Sequence, residues 1–316
     1  MLTHRSMPTS DSAMDAASPA GLDQSRRREA LTGVLYGIAA YGWWGVVAVY
    51  FKIVRAVPPL EILAHRIIWS VVMLVLIVAV SRRWTALRTV LVSRRSLLFL
   101  LISTILIAVN WFVFIWAITR DHMVDASLGY FINPLVNVFF GFLFLGERLR
   151  RVEWVSVAIA AVAVLWLTLG AGVFPWISLV LAGSFGLYGL VRKLARVSSI
   201  EGLTVETTFL LPLALGYLFF LARSDALAFG DERSLDLLLI AAGPITALPL
   251  IWFAAAVSRL RLATIGLLQY IAPTIQFTLA VAVYREPFGP ERFIAFGLIW
   301  LAIAIYSADN FRRRGG

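Results

Sequence analysis

Tyr130, Asn133 and Asn137 follow one another at i, i+3 and i+7, a spacing that places a phenol and two carboxamides on one helix face. Displaced by 139 residues stand Gln269, Ala272 and Gln276, so two of these three positions are polar in both places. Pro134 and Pro273 fall within the same segments, and each is expected to remove an N–H and free a carbonyl, that of Tyr130 or of Gln269. Carboxamides beside bare carbonyls can hold a polar solute without burying a net charge. The same groups could instead bond helix to helix, at about 0.6 kcal/mol per contact in a membrane. Asn110 lies near the same depth, opposite Pro249 in the shifted register, and joins the candidate lining. Trp43, Trp44 and Tyr188 sit in paired Gly-flanked segments. Their rings could stack on a planar solute or form an interfacial belt.

Arg66 and Glu206 are ionisable groups about two turns inside apolar runs, and a shift of 140 makes them counterparts. Burying such a group in a bilayer costs a few kcal/mol or more, so each is a functional candidate. Glu206 is suited to coupling with a proton or the substrate, or else snorkels to the nearby cytoplasmic interface. Arg66 is expected to pair with Glu286. His65, beside it, could titrate near neutral pH or be incidental. Glu147 and Glu286 close their segments and are expected to be structural, bonding loop arginines or backbone N–H groups.

Other chemistries are excluded by what is missing. The chain has no cysteine, hence no disulfide, thiolate or Cys-bound zinc. Lys52 and Lys193, the only lysines, lie outside any glycine-rich phosphate loop. His4, His65 and His122 form no metal-ligand cluster, and neither HExxH nor G-x-S-x-G occurs. Gly170-Ala171-Gly172 lacks the βαβ setting of a dinucleotide site. No catalytic residue, metal or cofactor is expected. Any energy source must be a gradient.

The elements that position these residues are written in the composition. Of 316 residues 60% are hydrophobic and 15% charged, with mean hydropathy +0.86. A soluble domain is about a quarter charged. Lipid is the solvent that fits, and ten apolar runs approach or exceed the helix length that crosses it. They cover about 32–51, 60–80, 97–118, 126–145, 153–170, 176–191, 203–222, 237–257, 262–284 and 292–308. With the N-terminus inside, the inner gaps carry 19 Lys and Arg and the outer gaps 7, so both ends are expected in the cytoplasm. These are topological charges, and the net charge of +10 therefore does not imply nucleic acid as a partner.

Pro134 and Glu147 recur as Pro273 and Glu286, Glu61 as Glu201, and the segment 41–45 as 185–189. Matches in order at nearly one offset indicate a duplicated five-helix unit. Five is odd, so the second copy enters the membrane inverted.

Further stretches carry a family resemblance. Pro134 through Phe144-Leu145-Gly146-Glu147-Arg148, followed by Glu153, resembles the helix 4–5 signature of EamA-type drug/metabolite transporters, and Tyr284-Arg285-Glu286 repeats it in weaker form. Gly42-Trp43-Trp44-Gly45, Ala64-His65-Arg66, the run 110–117, the run 127–135, Val191-Arg192-Lys193 and the run 269–274 are similar to the RarD subfamily. The resemblance covers about residues 30–310. It implies an all-α membrane protein of ten transmembrane helices in two inverted five-helix repeats. The expected organisation is a disordered cytoplasmic tail at 1–28, repeats at 29–172 and 173–310, and a cytoplasmic tail at 311–316. The expected function is secondary transport, exporting or exchanging a small organic metabolite or drug across a bacterial-type inner membrane. A non-transporting membrane scaffold or a membrane-embedded lipid-type enzyme is the alternative. The partners implied are the bilayer and a small solute, with no oligomeric state specified.

Overall fold

The computed structural model describes residues 19–146, 148–170, 172, 174–257, 259–260, 264–265 and 268–312. The order is α1 (Pro19–Ile53), α2 (Pro59–Val80), a short α3 (Trp84–Val92), α4 (Arg94–Thr119), α5 (Met123–Leu145) and α6 (Arg151–Leu165). It continues through α7 (Trp176–Ala195), α8 (Ser199–Arg223), α9 (Arg233–Val257), α10 (Ile271–Thr278) and α11 (Pro290–Arg312). One π turn, Trp166–Gly170, extends α6, and another, Leu279–Val283, extends α10. Among the described residues nine helices are long and apolar enough to cross a membrane. The span expected at 262–284 appears as the shorter apolar helix Ile271–Val283. The expected tail overlaps α1, which starts at Pro19.

The apolar runs at 176–191 and 292–308 lie in longer helices, Trp176–Ala195 and Pro290–Arg312, because the charged residues flanking them stay helical. Pro134, Pro212, Pro244 and Pro249 lie inside continuous helices, as a bundle that re-satisfies freed backbone groups allows. Pro273 requires a correction. Gln269 and Tyr270 form a turn, and Pro273 is the third residue of a new helix. In a first turn its missing N–H has no helical partner to lose, so it does not free the Gln269 carbonyl within a continuous helix.

Helix pairing follows a regular plan. α5 and α4 pack on α7, while α10 and α9 pack on α1. α2 packs on α9, as α4 does on α8. α2 pairs with α8, and α6 with α11. Two buried glutamates fasten α2 to α8 in opposite directions. Glu61, in the first turn of α2, accepts from Ala228 N beyond the end of α8 at 2.9 Å. Glu201, in the first turn of α8, lies 2.7 Å from Arg83 Nε beyond the end of α2. That N–H is not aimed at the carboxylate, so the second contact is an ion pair and not a hydrogen bond.

Two backbone turns also recur. Gly146 ends α5 in the left-handed region at φ 66, and Arg285, 139 residues on, adopts φ 53. Arg82 and Asp225 do the same just beyond α2 and α8, at φ 52 and φ 51.

One continuous core joins α1, α2, α4, α5, α7 and α11, with Phe51, Ile115, Leu135, Leu181 and Phe296 almost wholly buried. Val80, Leu169, Leu213, Phe219 and Phe220 are exposed on the outside of the bundle. In water such a surface would be a liability; in hydrocarbon it is the solvated face. Gly33 and Gly37 serve packing, since a Cβ on either would meet Leu260 or Leu268 below 3.0 Å.

The tightest backbone approach is at Gly243, where a Cβ would lie 2.4 Å from the Trp69 carbonyl oxygen of α2. Backbone cannot step aside as a side-chain tip can. Gly243→Ala is therefore expected to destabilise by about 1–3 kcal/mol, read as a lower melting temperature in detergent. Gly216→Ala, with open space around it, should leave that temperature unchanged or raise it.

Candidate solute site and its buried charges

Asn110 on α4 is 2% exposed and joins three helices. Its Nδ2 donates to Leu181 O and Ser184 Oγ on α7, each at 3.1 Å, and its Oδ1 accepts from Tyr130 OH on α5 at 3.2 Å. One turn further along α5, Asn133 is buried with Oδ1 unpartnered. Gln276 on α10 is likewise buried; its Nε2 donates to Trp44 O at 3.0 Å while Oε1 has no partner. Trp43 Nε1 donates to Ile245 O at 3.0 Å, and Trp44 packs among Tyr41 and Phe253. Gln269 is half-buried and Asn137 is exposed on the α7 side, its Oδ1 3.1 Å from the position of a Cβ on Gly186. The polar stripe thus divides. Asn110 and Tyr130 are bonded to each other, whereas Asn133 and Gln276 each keep a buried acceptor without a donor. Such orphaned acceptors are uncommon in folded proteins and mark a site or an ordered water.

Glu206 is fully buried. It accepts from Ser103 Oγ at 2.5 Å and from Tyr188 OH at 3.2 Å, with Arg192 Nη1 3.6 Å away. Arg192 reaches it by crossing Gly202, where a Cβ would stand 1.7 Å from Nη1, and its Nη2 also donates to Ser198 O. The Glu206 carboxylate is turned inward, so it does not snorkel. His65 is buried, stacked on Phe229 at 4.8 Å, with Nε2 unpartnered.

The expected Arg66–Glu286 pair does not form. Glu286 accepts from Lys52 Nζ at 3.1 Å and from Val124 N in the first turn of α5 at 2.9 Å. Lys52, in the last turn of α1, reaches the carboxylate first, and a helix N-terminus supplies a free N–H to complete it. Arg66 instead donates from Nε to Thr246 Oγ1 at 3.1 Å and lies over the Trp111 ring at 4.2 Å. The backbone-bonding role expected of Glu286 is present; Glu147 lies outside the described residues.

Lys52, Arg192, Ser103, Trp111 and Thr246 are the partners of these candidate residues that sequence reasoning missed. Lys52 and Arg192 looked like topological charge because each stands at a helix end. The available signal was that an acidic residue in a span needs a cation within reach.

A separate cavity of about 420 Å³ opens between the helix ends, lined by His122, Asp125, Phe174, Trp176, Glu291 and Arg292 among others. Arg292 Nη2 pairs there with Asp125 at 3.3 Å. None of the sequence-predicted site residues lines it. Nearby, in the α4–α5 turn, Lys52 Nζ bonds Asp121 at 2.5 Å. That hydrogen bond, outweighing desolvation, holds the Asp121 carboxyl below the usual carboxylate range.

A polytopic helical bundle with an apolar outer face and polar groups and ion pairs inside it defines an integral membrane protein, and comparison with known proteins gives its family. Residues 31–169 match the EamA-like transporter family. The protein RarD of Escherichia coli strain K12 is 47% identical over 278 residues, 88% of this chain and 94% of the relative. An uncharacterised transporter of Vibrio cholerae is 45% identical over 90% of this chain and 95% of its own. The chloramphenicol-sensitive protein RarD of Pseudomonas aeruginosa is 34% identical over 89% and 95%. A solved crystal structure shares the fold, with a TM-score of 0.56 and 20% identity over 86% of this chain and 96% of that one. The chain belongs to the EamA-like transporter family, in its RarD subfamily, as a multi-pass protein of the bacterial inner-membrane type.

Two outcomes follow from the charges. Lys52→Met strands Glu286 as a buried anion and should cost about 3–5 kcal/mol. Adding Glu286→Gln should restore most of the lost melting temperature, since the glutamine still accepts from Val124 N. For Asp121 the folded pKa lies below the unfolded value of about 3.9, so its contribution is present above that pH and lost as pH falls through the folded value. Asp121→Asn should flatten the acid limb of melting temperature against pH. An unaltered limb would mean that Glu286 alone holds Lys52.

Proposed function

We propose that the protein is a secondary carrier that exports or exchanges a small organic metabolite or drug by alternating access. Its two inverted five-helix repeats, 29–172 and 173–310, make ten membrane crossings with both chain ends in the cytoplasm. The observation that carries this reading is the exchange symmetry of the helix pairing. Replacing α1, α2, α4, α5 and α6 by α7, α8, α9, α10 and α11 maps the most extensive packing pairs onto one another or onto themselves, while the lesser α2–α4 and α1–α4 contacts have no counterpart of like extent among the described residues. The opposed Glu61 and Glu201 fastenings and the matched turns at Gly146 and Arg285 support it. A bundle of two like halves in opposite orientations can rock between two nearly equivalent packings, each opening the centre to one side.

The solute site lies where the halves meet, lined by Asn110, Tyr130, Asn133 and Gln276, with Trp43, Trp44, Tyr188, Gln269 and Asn137 around it. Asn133 Oδ1 and Gln276 Oε1 accept hydrogen bonds from the solute. Glu206, held by Ser103, Tyr188 and Arg192, is the coupling carboxylate. The chain performs no covalent chemistry, and the gradient of the solute or of an ion drives the cycle. The drug sensitivity named for the Pseudomonas relative fits a solute of drug size.

Counterflow in proteoliposomes, over amino acids, nucleobases, organic acids and aromatic antibiotics, tests the reading. Saturable exchange is expected for at least one class. Asn133→Ala with Gln276→Ala should lower that exchange by about tenfold, since each lost hydrogen bond is worth about 0.5–1.5 kcal/mol, at normal folded yield. Full exchange in the double variant would remove both residues from the site. Reporter tags that place the two chain ends on opposite sides of the membrane would refute the inverted repeat.

A further inference from the structure

The charges inside the bundle do not all balance. Glu206 has Arg192, and Glu286 has Lys52. Arg66, the seventh residue beyond the start of α2, has no described carboxylate within ion-pair range. At 1.5 Å per residue it lies roughly 10 Å along the helix from Pro59, too deep for its head to be counted as a loop charge. Its Nε is spent on Thr246. The four remaining N–H donors, on Nη1 and Nη2, have no partner among the described residues. Unlike Nη1 of Arg192, these nitrogens are not sealed away, and Arg66 keeps part of its surface open although Ile62, Leu63, Ala64, His65 and Ile67 around it are buried. An uncompensated cation in a span is costly and needs a use.

Its surroundings are aromatic. The guanidinium lies 4.2 Å from the Trp111 ring centroid and 5.9 Å from that of Phe51. Tyr50 and Tyr130 are near enough to interact with it electrostatically. Both phenol hydroxyls are committed, to Leu238 O and to Asn110 Oδ1, so these residues offer ring surface and not donors. Tyr130 also ties this place to the Asn110 cluster described above. A planar guanidinium with Nη1 and Nη2 free presents the fork that a carboxylate accepts bidentately. One positive charge neutralises one negative charge, and the buried Lys52 is already shared by Glu286 and Asp121. A phosphate dianion would be left with surplus charge in hydrocarbon.

We infer that Arg66 is the anion-binding residue of the solute site and that the solute is an organic monocarboxylate with an aromatic or otherwise apolar body. The inference builds on the carrier reading but is tested separately from it. The competing use of Arg66 is a cation–π clamp between α2 and α4, which would affect stability without regard to the ligand.

Purified full-length chain in detergent is heated with phenylacetate or indole-3-acetate, and in parallel with the corresponding amides, at neutral pH and constant ionic strength. The acids are expected to raise the melting temperature and the amides to leave it unchanged. Arg66→Lys should weaken the acid by about tenfold, equivalent to about 1.4 kcal/mol, and Arg66→Gln should abolish its effect. Stabilisation by amides equal to that by acids, no stabilisation by any acid, or undiminished acid binding in Arg66→Gln would overturn the inference. If Arg66→Gln does not fold, the acid–amide comparison on the unaltered chain and on Arg66→Lys decides. Counterflow with the same acids separates the two levels. Acids that bind through Arg66 and are never exchanged would leave the anion site standing and sink the carrier.

Discussion

Hydrocarbon offers no hydrogen-bond partners, so a polar group carried into a span is satisfied within the protein or left for something that enters it. Most of this bundle obeys the first alternative. Ser103 and Tyr188 donate to Glu206; Lys52 and the Val124 amide share Glu286; Asn110 spends its amide on two α7 acceptors. Against that background the exceptions carry information. Asn133 Oδ1 and Gln276 Oε1 lack donors, Trp69 Nε1, Ser70 Oγ and Ser156 Oγ are likewise buried without partners, and the outer nitrogens of Arg66 lack acceptors. The two acceptors lie on α5 and α10, and the cation is set among Trp111, Phe51 and Tyr130.

The same constraint explains how the halves are joined. Loops can be wetted, but a helix start inside the bundle brings free N–H groups and, in this chain, a buried glutamate at equivalent positions of α2 and α8. Each glutamate is answered from beyond the far end of the other helix, by Ala228 N or by Arg83. Fastenings at both ends of one antiparallel pair make α2 and α8 an axis about which the bundle is organised. Around it, α4 and α5 pack on α7 as α9 and α10 pack on α1. Arg285 shows that one turn geometry can be reached with different residue types. It adopts the left-handed turn that Gly146 takes without strain, so the two turns share a shape although only one holds a glycine.

The exposed apolar face and the close helix contacts serve one end. Gly33 and Gly37 admit leucine side chains, and Gly243 admits the Trp69 backbone, where the hydrophobic effect gives no drive between helices and packing alone must hold them. Phe219, Phe220 and Leu213 face outward because lipid there is as good a solvent as the interior.

The sequence alone determined the class, the approximate extent of the helices and the family, because apolar run length, charge asymmetry and short motifs are local properties that survive without knowledge of neighbours. It also pointed to Asn133, Gln276, Glu206 and Arg66 as residues out of place in lipid. Tertiary structure decided their partners. Glu286 went to Lys52 and not to Arg66, Pro273 opened a helix and did not kink one, and Arg192 crossed Gly202 to reach Glu206. Periodicity tells which way a side chain leaves its own helix, but the partner it meets depends on the rotation and depth of other helices, and those are set by packing across the whole bundle.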